Sequence, residues 1–221
     1  MLIYSFIPAR KGSKRIPNKN VKKLNGIPLI NYTINHCLKS KFINKTFISS
    51  NDNKLLSLIK GKNIYKIKRP NILSGDASST EDAVLHFIKY LNKEKITLPD
   101  LIILLQCTSP KRHAHDIDNA INLFKKKKYD SLFTACLNKN LFWQFNNKKY
   151  VPINYNFKKR LTEQKMEEQY VENGSFYIFK TKKFIKHKSR LFENIGIYLM
   201  NKINSFQLDD YEDMKILKKI L

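Results

Sequence analysis

The stretch MLIYSFIPARKGSKRIPNKN, residues 1–20, decides the fold, because an apolar run stops abruptly at a strongly basic loop. Residues 1–9 carry no charge and are rich in β-forming side chains, a pattern typical of a buried strand in a parallel sheet. The loop that follows holds five cations: Arg10, Lys11, Lys14, Arg15 and Lys19. So much charge at a strand end predicts either a site for a highly anionic ligand or a solvated patch.

Strand, loop and helix recur along the chain after this first strand. Residues 45–52 (KTFISSND) and 99–110 (PDLIILLQCTSP) read as strands that end in small polar residues, and residues 79–93 and 114–128 read as helices. Further strands are expected at 129–137, 170–180 and 194–201, with a final helix over 209–221. The alternation predicts an α/β fold with a mostly parallel sheet flanked by helices on both faces.

One segment breaks this rhythm. Residues 138–170 contain Trp143, Phe145 and then a charged run, with no strand-helix alternation, so they read as an insertion. No repeat, low-complexity tract or linker divides the chain. We therefore expect a single domain over residues 1–221 with the insertion inside it.

The net charge of +24 raises the question of a nucleic-acid partner. Only six of the 42 basic residues are arginines, and the lysines are spread over the whole length together with many Asn and Ile residues. That distribution is typical of a compositional bias and of solvated surfaces rather than of one binding face. We therefore expect no nucleic acid as a partner.

Cysteine usage and hydropathy bear on location. Cys37, Cys107 and Cys136 are odd in number and widely spaced, which fits reduced thiols and no metal-ligand pair. No run approaches the roughly 18 apolar residues of a membrane span, and no basic segment precedes the first apolar run. The expectation is a cytoplasmic protein without a membrane partner.

The basic loop favours phosphate chemistry over mere solvation. Backbone amides around Gly12 and Ser13 are suited to an anion-binding nest, with Arg10 and Lys19 supplying charge. The loop is neither a Walker P-loop nor a G-x-G-x-x-G turn, so the common ATP and NAD interpretations fail. In sheets of this kind, ligands bind beyond the carboxyl ends of the strands, where this loop falls.

The segment IPARKGSKRIPNKN, residues 7–20, resembles the signature of the acylneuraminate cytidylyltransferases, the CMP-sialic acid synthetases. Further segments resemble the family in the same order, so that the similarity spans nearly the whole chain: residues 69–80, 104–112, 172–179 and 209–216. The resemblance implies a Rossmann-like nucleotidyltransferase fold, usually dimeric, with residues 138–170 as the dimerisation insertion. It implies an enzyme that joins CTP to a nine-carbon α-keto acid sugar and releases pyrophosphate.

The resemblance also implies site residues. Those for the nucleotide are Ala9, Arg10, Gly12, Ser13, Lys19, Asn20, Arg69 and Ser79. Those for the sugar are Gln106, Thr108, Ser109, Arg160, Glu172 and Asn173, and the catalytic set is Arg10, Lys19 and Asp209. Ser79 is equally well explained as a helix cap. His113 and His115 are expected to be exposed or to cap a helix, since no third metal ligand accompanies them.

The match departs from the family at the metal motif. The family pattern resembles D-x-D at a strand end, where alternation would aim both carboxylates at one Mg²⁺ ion. Here the segment reads Gln207-Leu208-Asp209, so Mg²⁺ is expected on Asp209 and Gln207, with weaker binding. Three functions stay open: a sialic-acid-type synthetase, a CMP-Kdo-type synthetase and a non-catalytic CTP-binding relative.

Overall fold

A seven-stranded sheet forms the centre of the computed structural model, which describes all 221 residues. The strands in chain order are β1 (Ile3–Pro8), β2 (Lys23–Leu24), β3 (Ile27–Pro28), β4 (Lys45–Ser50), β5 (Ile64–Lys68), β6 (Leu101–Leu105), β7 (Ser131–Asn138), β8 (Trp143–Asn146), β9 (Lys149–Pro152), β10 (Gln169–Lys180) and β11 (Ile195–Leu199). The helices are α1 (Leu29–Lys39), α2 (Asn53–Leu58), α3 (Thr80–Lys93), α4 (Ala114–Lys126), α5 (Thr181–His187) and α6 (Tyr211–Ile220).

The strand order in the sheet is β11-β7-β10-β6-β1-β4-β5. All neighbouring pairs are parallel except those of β10, which is antiparallel to both β6 and β7. The chain leaves the sheet after β7, passes through the insertion and returns in the opposite direction as β10. The predicted α/β fold with a mostly parallel sheet is confirmed.

Each face of the sheet is covered by helices. On β1, Ile3 and Ile7 belong to one apolar layer, while Tyr4 and Phe6 belong to the other, as the alternation of a strand requires. The first layer is completed mainly by α1, α4 and α6, and the second by α3 and α5. Burial on both faces explains why β6 is an unbroken apolar run whose five residues are all buried.

Helix starts follow the local sequence. Ser79 precedes α3 and forms a capping box with Asp82: the Ser79 hydroxyl accepts from the Asp82 amide at 3.0 Å, and the Ser79 amide donates to the Asp82 carboxylate at 2.9 Å. Asp210 precedes α6 and accepts from the amides of Glu212 and Asp213 at 2.9 and 3.0 Å. These caps fix where the site-bearing loops end.

Residues 138–170 lie largely outside the sheet. They contain the β8–β9 hairpin and short 3₁₀ turns, and several large aromatic side chains on them are exposed: Phe142, Trp143, Phe145, Tyr150 and Phe157. None of the helices combines the length and apolarity needed to cross a membrane. The three cysteines are buried and unpaired.

Candidate active site

The first cavity opens beyond the carboxyl ends of β1 and β6 and has a volume of about 480 Å³. Its walls are the basic loop after β1, residues 75–80 before α3, the turn 106–108 after β6, and Asp209 before α6. Only two of its 18 lining residues are hydrophobic. Four segments far apart in sequence therefore meet at the sheet edge where ligands of such folds bind.

The basic loop is held in a defined shape by its backbone. Ala9 is buried and extends β1 by donating its amide to the Ser49 carbonyl at 2.9 Å. Gly12 has a φ of +91°, a conformation that favours glycine because a side chain would be strained there. The Asn20 amide group donates to the Arg10 carbonyl at 3.0 Å, which ties the far end of the loop back to its start.

Two cations of the loop share one carboxylate. Arg10 donates to the Gly75 carbonyl at 2.9 Å and approaches Asp76 at 3.1 Å, while the Lys14 ammonium lies 2.7 Å from the other Asp76 oxygen. The pKa of Asp76 is held below its usual range, mainly by Lys14 and to a smaller extent by Arg10. Asp76 was missed by the sequence analysis, although the segment 69–80 contains it. Its exposed carboxylate occupies the place that an anionic ligand would compete for.

Lys19 and Asp209 come together from opposite ends of the chain. The Lys19 ammonium donates to the Leu208 carbonyl at 2.8 Å and lies 3.6 Å from an Asp209 carboxylate oxygen. The Lys19 side chain is only 14% exposed, whereas that of Asp209 is 50% exposed. Lys19 therefore faces the cavity from a fixed position, and Asp209 retains a carboxylate open to the cavity.

Arg69 and Ser79 both line the first cavity, but they differ in whether their polar atoms already have hydrogen-bond partners. Arg69 is buried, its Nε has no hydrogen-bond partner, and burial, then the charge of Arg10, lowers its pKa to about 10. A buried donor without an acceptor points to a missing partner such as a bound anion. The Ser79 hydroxyl, in contrast, is engaged twice with Asp82, donating to its carboxylate at 2.8 Å and accepting from its amide.

The turn after β6 contributes unpaired polar atoms. Gln106 and Thr108 line the first cavity, and the buried hydroxyls of Thr108 and Ser109 have no hydrogen-bond partner. Ser109 is fully buried and does not line the cavity. The Leu208 amide donates to the Thr108 carbonyl at 2.7 Å, which fixes this turn against the segment that carries Gln207 and Asp209.

A second cavity of about 660 Å³ adjoins the first and shares Asp209 with it. Its lining residues include Glu172, Asn173, Lys202 and Gln207. Gly174, whose φ is +60°, lies next to Gln106 of the first cavity and Gln207 of the second, and so marks the boundary between the two cavities. A Cβ atom there would lie 2.9 Å from the Gln207 amide nitrogen and 3.4 Å from the Gln106 amide oxygen, so both side chains press against this glycine.

Two of the residues expected at the sugar are engaged within the protein. The buried Asn173 side chain accepts from the Thr134 hydroxyl and from the Ser175 amide, and it donates to Ser205 at 2.8 Å. Glu172 accepts from the Tyr177 hydroxyl, and burial followed by this contact raises the pKa of Tyr177 to about 12. Asn173 thus shapes the cavity wall with its polar atoms already satisfied.

Two expected sugar contacts line neither cavity, the buried Ser109 and the exposed Arg160. Arg160 lies away from both cavities in the single chain. It is exposed, lies within residues 138–170 and lines neither cavity. A different arginine, Arg112, lies next to the boundary between the two cavities. It was not predicted from the sequence as a site residue. Its position in a basic pair after a proline gives no sign that it is buried.

The expected strand geometry at the metal motif is wrong. Strand β11 ends at Leu199, and residues 206–209 have irregular backbone because the Leu208 amide and carbonyl bond to Thr108 and Lys19. Asp210 is occupied as a helix cap, and Asp213 accepts from the amides of Asp209 and Asp210 at 2.8 and 3.0 Å. Of Asp209, Asp210 and Asp213, only Asp209 has a carboxylate that faces the first cavity and is not engaged by a helix start.

The donor set limits which metal fits. The structure contains no group of three or more His, Cys, Asp and Glu side chains placed to hold a metal ion. One carboxylate with neighbouring amide oxygens suits Mg²⁺, which takes many of its ligands from phosphates and water. It does not suit an ion held wholly by protein side chains.

Comparison with known proteins agrees with this geometry. The family model described as cytidylyltransferase matches residues 5–220. N-acylneuraminate cytidylyltransferase A of Danio rerio is 33% identical over 184 residues, covering 80% of this chain; the chain spans only 41% of that relative's length. Post-translational flagellin modification protein B of Campylobacter coli is 28% identical over 99% of this chain and 94% of its own.

Solved structures extend the comparison to the fold. The structure of CMP:2-keto-3-deoxy-manno-octonic acid synthetase complexed with CTP has a TM-score of 0.72 at 16% identity, covering 100% of this chain and 98% of that one. At such low identity the likeness concerns the fold alone. The family-model match over nearly the full length, together with the basic-loop cavity, shows that this chain belongs to the cytidylyltransferase family.

Proposed function

We propose that the chain is a cytidylyltransferase of the acylneuraminate type, which joins CTP to an acidic nine-carbon α-keto sugar. The proposal rests on two adjoining cavities that share Asp209. The basic loop lines the first cavity and does not line the second. A triphosphate fits the first by charge, and the second offers a sugar the polar groups of Lys202 and Gln207 beside Asp209. The relatives named N-acylneuraminate cytidylyltransferase support the same assignment.

The chemistry follows from this arrangement. The anomeric hydroxyl of the sugar attacks the α-phosphorus of CTP, a new phosphorus–oxygen bond forms, and the bond to the β-phosphate oxygen breaks. Pyrophosphate leaves carrying the charge, and the hydroxyl proton passes to solvent or to a nearby base. Arg10, Lys14 and Lys19 lie where they would stabilise the growing charge on the leaving group. Phosphoryl-type transfer relies chiefly on such positioning and charge stabilisation.

The nucleotide end relies on residues with unsatisfied capacity. The Arg69 Nε donor lacks an acceptor, and Ser13 and Asn20 line the same cavity. When CTP enters, its phosphates would replace Asp76 as the partner of Arg10 and Lys14. Asp76 competes with the phosphates for these two side chains, and it also keeps them ordered before CTP binds, which lowers the entropy lost on binding.

Magnesium is proposed at Asp209, with the Gln207 side-chain oxygen as a second ligand. Bound there, Mg²⁺ would neutralise phosphate charge and polarise the α-phosphate. The replacement of a carboxylate by Gln207 removes one negative charge from the site, so binding is expected to depend strongly on the nucleotide.

A homodimer is proposed from residues 138–170. Their exposed aromatic side chains form an apolar surface on a hairpin outside the sheet, a feature typical of protein interfaces. Arg160 lies on the same segment, so a second subunit is the natural route by which its guanidinium would reach a substrate carboxylate. The unpaired cysteines further favour a cytoplasmic location.

The experiment is pyrophosphate release from CTP and Mg²⁺ in the presence of N-acetylneuraminate, legionaminate, pseudaminate or Kdo. We expect release with one of the three nine-carbon sugars. Release with Kdo alone would replace the proposed substrate class by the eight-carbon one. Tight CTP binding without release for any sugar would favour a non-catalytic CTP-binding protein and overturn the proposal.

A further inference from the structure

The inference concerns Arg112, the largest of the fully buried side chains. Arg112 is only 1% exposed and lies between α1, the turn after β6 and strand β10. It lines neither of the two cavities of the site. None of the assigned site residues explains why a guanidinium is buried at this place.

Each nitrogen of the Arg112 guanidinium donates to at least one acceptor, and these acceptors lie on the turn after β6, on β10 and on α1. One terminal nitrogen donates to the Ser175 carbonyl, and the other donates to the Gln106 carbonyl and to the Thr33 hydroxyl at 2.8 Å. Its Nε donates to the Nδ1 atom of His36 at 3.4 Å. The planar fork therefore joins the turn after β6 and strand β10 to helix α1.

The arginine makes no ion pair. None of the ion pairs in the structure includes Arg112, and burial lowers its pKa to about 10. The neighbouring His36 accepts from it and stays neutral, since burial and then the charge of Arg112 lower the His36 pKa to about 3. The charge of Asp116 acts on Arg112 without a direct ion pair, so contact between opposite charges does not explain the burial of this residue.

What Arg112 fixes is the boundary between the two cavities. The two carbonyls it holds belong to Gln106 and to Ser175, the residue after Gly174. The Gln106 amide itself donates to the Ser175 carbonyl at 3.2 Å. The Gln106 and Gln207 side chains meet at Gly174, so a shift of either backbone segment would move both amides.

We propose that Arg112 is a positioning residue that sets the sugar-side geometry of the site. It holds the Gln106 turn against Gly174 and so places the Gln106 and Gln207 side chains relative to Asp209. It has no hydrogen bond to the basic loop or to Arg69, so the contacts proposed between those residues and the triphosphate do not depend on it. The proposal rests on the proposed function, because it assigns the sugar to the second cavity.

The test compares Arg112→Lys with a matched core variant, Phe124→Leu, which lies in the buried layer on α4. Lysine keeps the charge and cannot reproduce the planar fork. We expect Arg112→Lys to raise the KM for the sugar and lower kcat/KM by about 10- to 100-fold, since small misplacements have such effects. Its Kd for CTP, measured without sugar, is expected to stay within about twofold of the wild type.

Phe124→Leu is expected to lose stability without a change in the KM for the sugar. Equal weakening of CTP and sugar in Arg112→Lys, or a wild-type KM for the sugar, would overturn the proposal. Thr33→Val removes one hydrogen-bond acceptor of Arg112 and keeps the arginine. This variant is the alternative test if Arg112→Lys fails to fold. Its expected effect is a smaller rise in the same KM, with the CTP Kd unchanged.

Hydrogen exchange separates this proposal from the proposed function. In folded Arg112→Lys, peptides covering residues 101–112 and 169–177 should exchange faster than in the wild type, while residues 9–21 should not. Unchanged exchange in the first two peptides would overturn the positioning role even if no sugar reacts. Absence of turnover in the wild type, with the exchange difference present, would overturn the proposed function alone.

Discussion

At the scale of single residues, the site divides into polar groups that the protein already satisfies and groups that it leaves open. Asn173, Ser79 and Asp210 have their side chains engaged by neighbouring residues. Arg69 and Asp209 keep free capacity inside the first cavity, and Arg10 is held by the exposed Asp76 carboxylate and by the Gly75 carbonyl. Ligand binding is expected to depend on the second group.

The first prediction concerns Arg10. Arg10→Ala should lower kcat/KM for CTP by about 100-fold or more, because a charge-stabilising donor at the leaving group is lost. Lys128→Ala, an exposed lysine just beyond α4, is the control and should leave kcat/KM within about twofold. Steady-state pyrophosphate release measures both variants. Equal losses would contradict the role given to the basic loop.

The second prediction concerns Gln207. Gln207→Asp adds a carboxylate beside Asp209 and should lower the Mg²⁺ concentration for half-maximal turnover roughly tenfold, since ligand charge raises cation affinity. Asn146→Asp, which adds the same charge on the exposed β8–β9 hairpin, is the control. The measurement is turnover against Mg²⁺ concentration at fixed CTP. An unchanged Mg²⁺ dependence in Gln207→Asp would contradict the proposed metal position.

The role of a residue was predictable from the sequence only where the residue belongs to a recognised motif. The cavity brings together Arg10, Lys19, Arg69, Gln106 and Asp209, all anticipated from short segments. Arg112 was not anticipated, because burial of a charge depends on contacts between α1, β6 and β10 that no local pattern records. The irregular backbone at 206–209 likewise results from long-range hydrogen bonds to Thr108 and Lys19.

At the scale of elements, the spacing of apolar residues was sufficient to predict a helix or a strand where one of its faces is buried. On α1 the buried residues recur at helical spacing and form one face: Leu29, Ile30, Thr33, Ile34 and Cys37. The strands β1 and β6 follow the same logic, because burial on both sides leaves nearly continuous apolar runs. The direction of β10 was not predictable, since it depends on how the insertion returns to the sheet.

The third prediction belongs to helix α3. Ser79→Ala removes one half of the capping box and should lower the free energy of unfolding by about 1 kcal/mol. Asp82→Ala removes the other half and should have a similar effect. Because the Ser79 hydroxyl is already engaged with Asp82, we expect the Kd for CTP to be unchanged in both variants. Weaker CTP binding in Ser79→Ala alone would show that the hydroxyl contacts the nucleotide.

At the scale of the whole molecule, the exposed aromatic surface of residues 138–170 stands outside the folded sheet. Phe145 is 65% exposed and Tyr150 is 74% exposed, and the two rings are 5.0 Å apart. A second copy covering this surface would account for both the exposure and the distance of Arg160 from the cavities.

The fourth prediction follows from that surface. The double variant Phe145→Glu with Tyr150→Glu should elute as a monomer where the wild type is a dimer, because charges would be buried in the interface. Leu58→Glu, at another exposed apolar position, should not change the oligomeric state. Light scattering after gel filtration measures the mass. A monomeric wild type would contradict the proposed dimer.

The most direct test of the central claim is phosphorus NMR of the reaction between CTP and the sugar that supports pyrophosphate release. The account predicts pyrophosphate and a new CMP phosphodiester in equal amounts, with no CMP formed in the absence of sugar. Hydrolysis of CTP without a phosphodiester, or no change in the CTP resonances with any acidic sugar, would contradict the assignment of this chain as a sugar cytidylyltransferase.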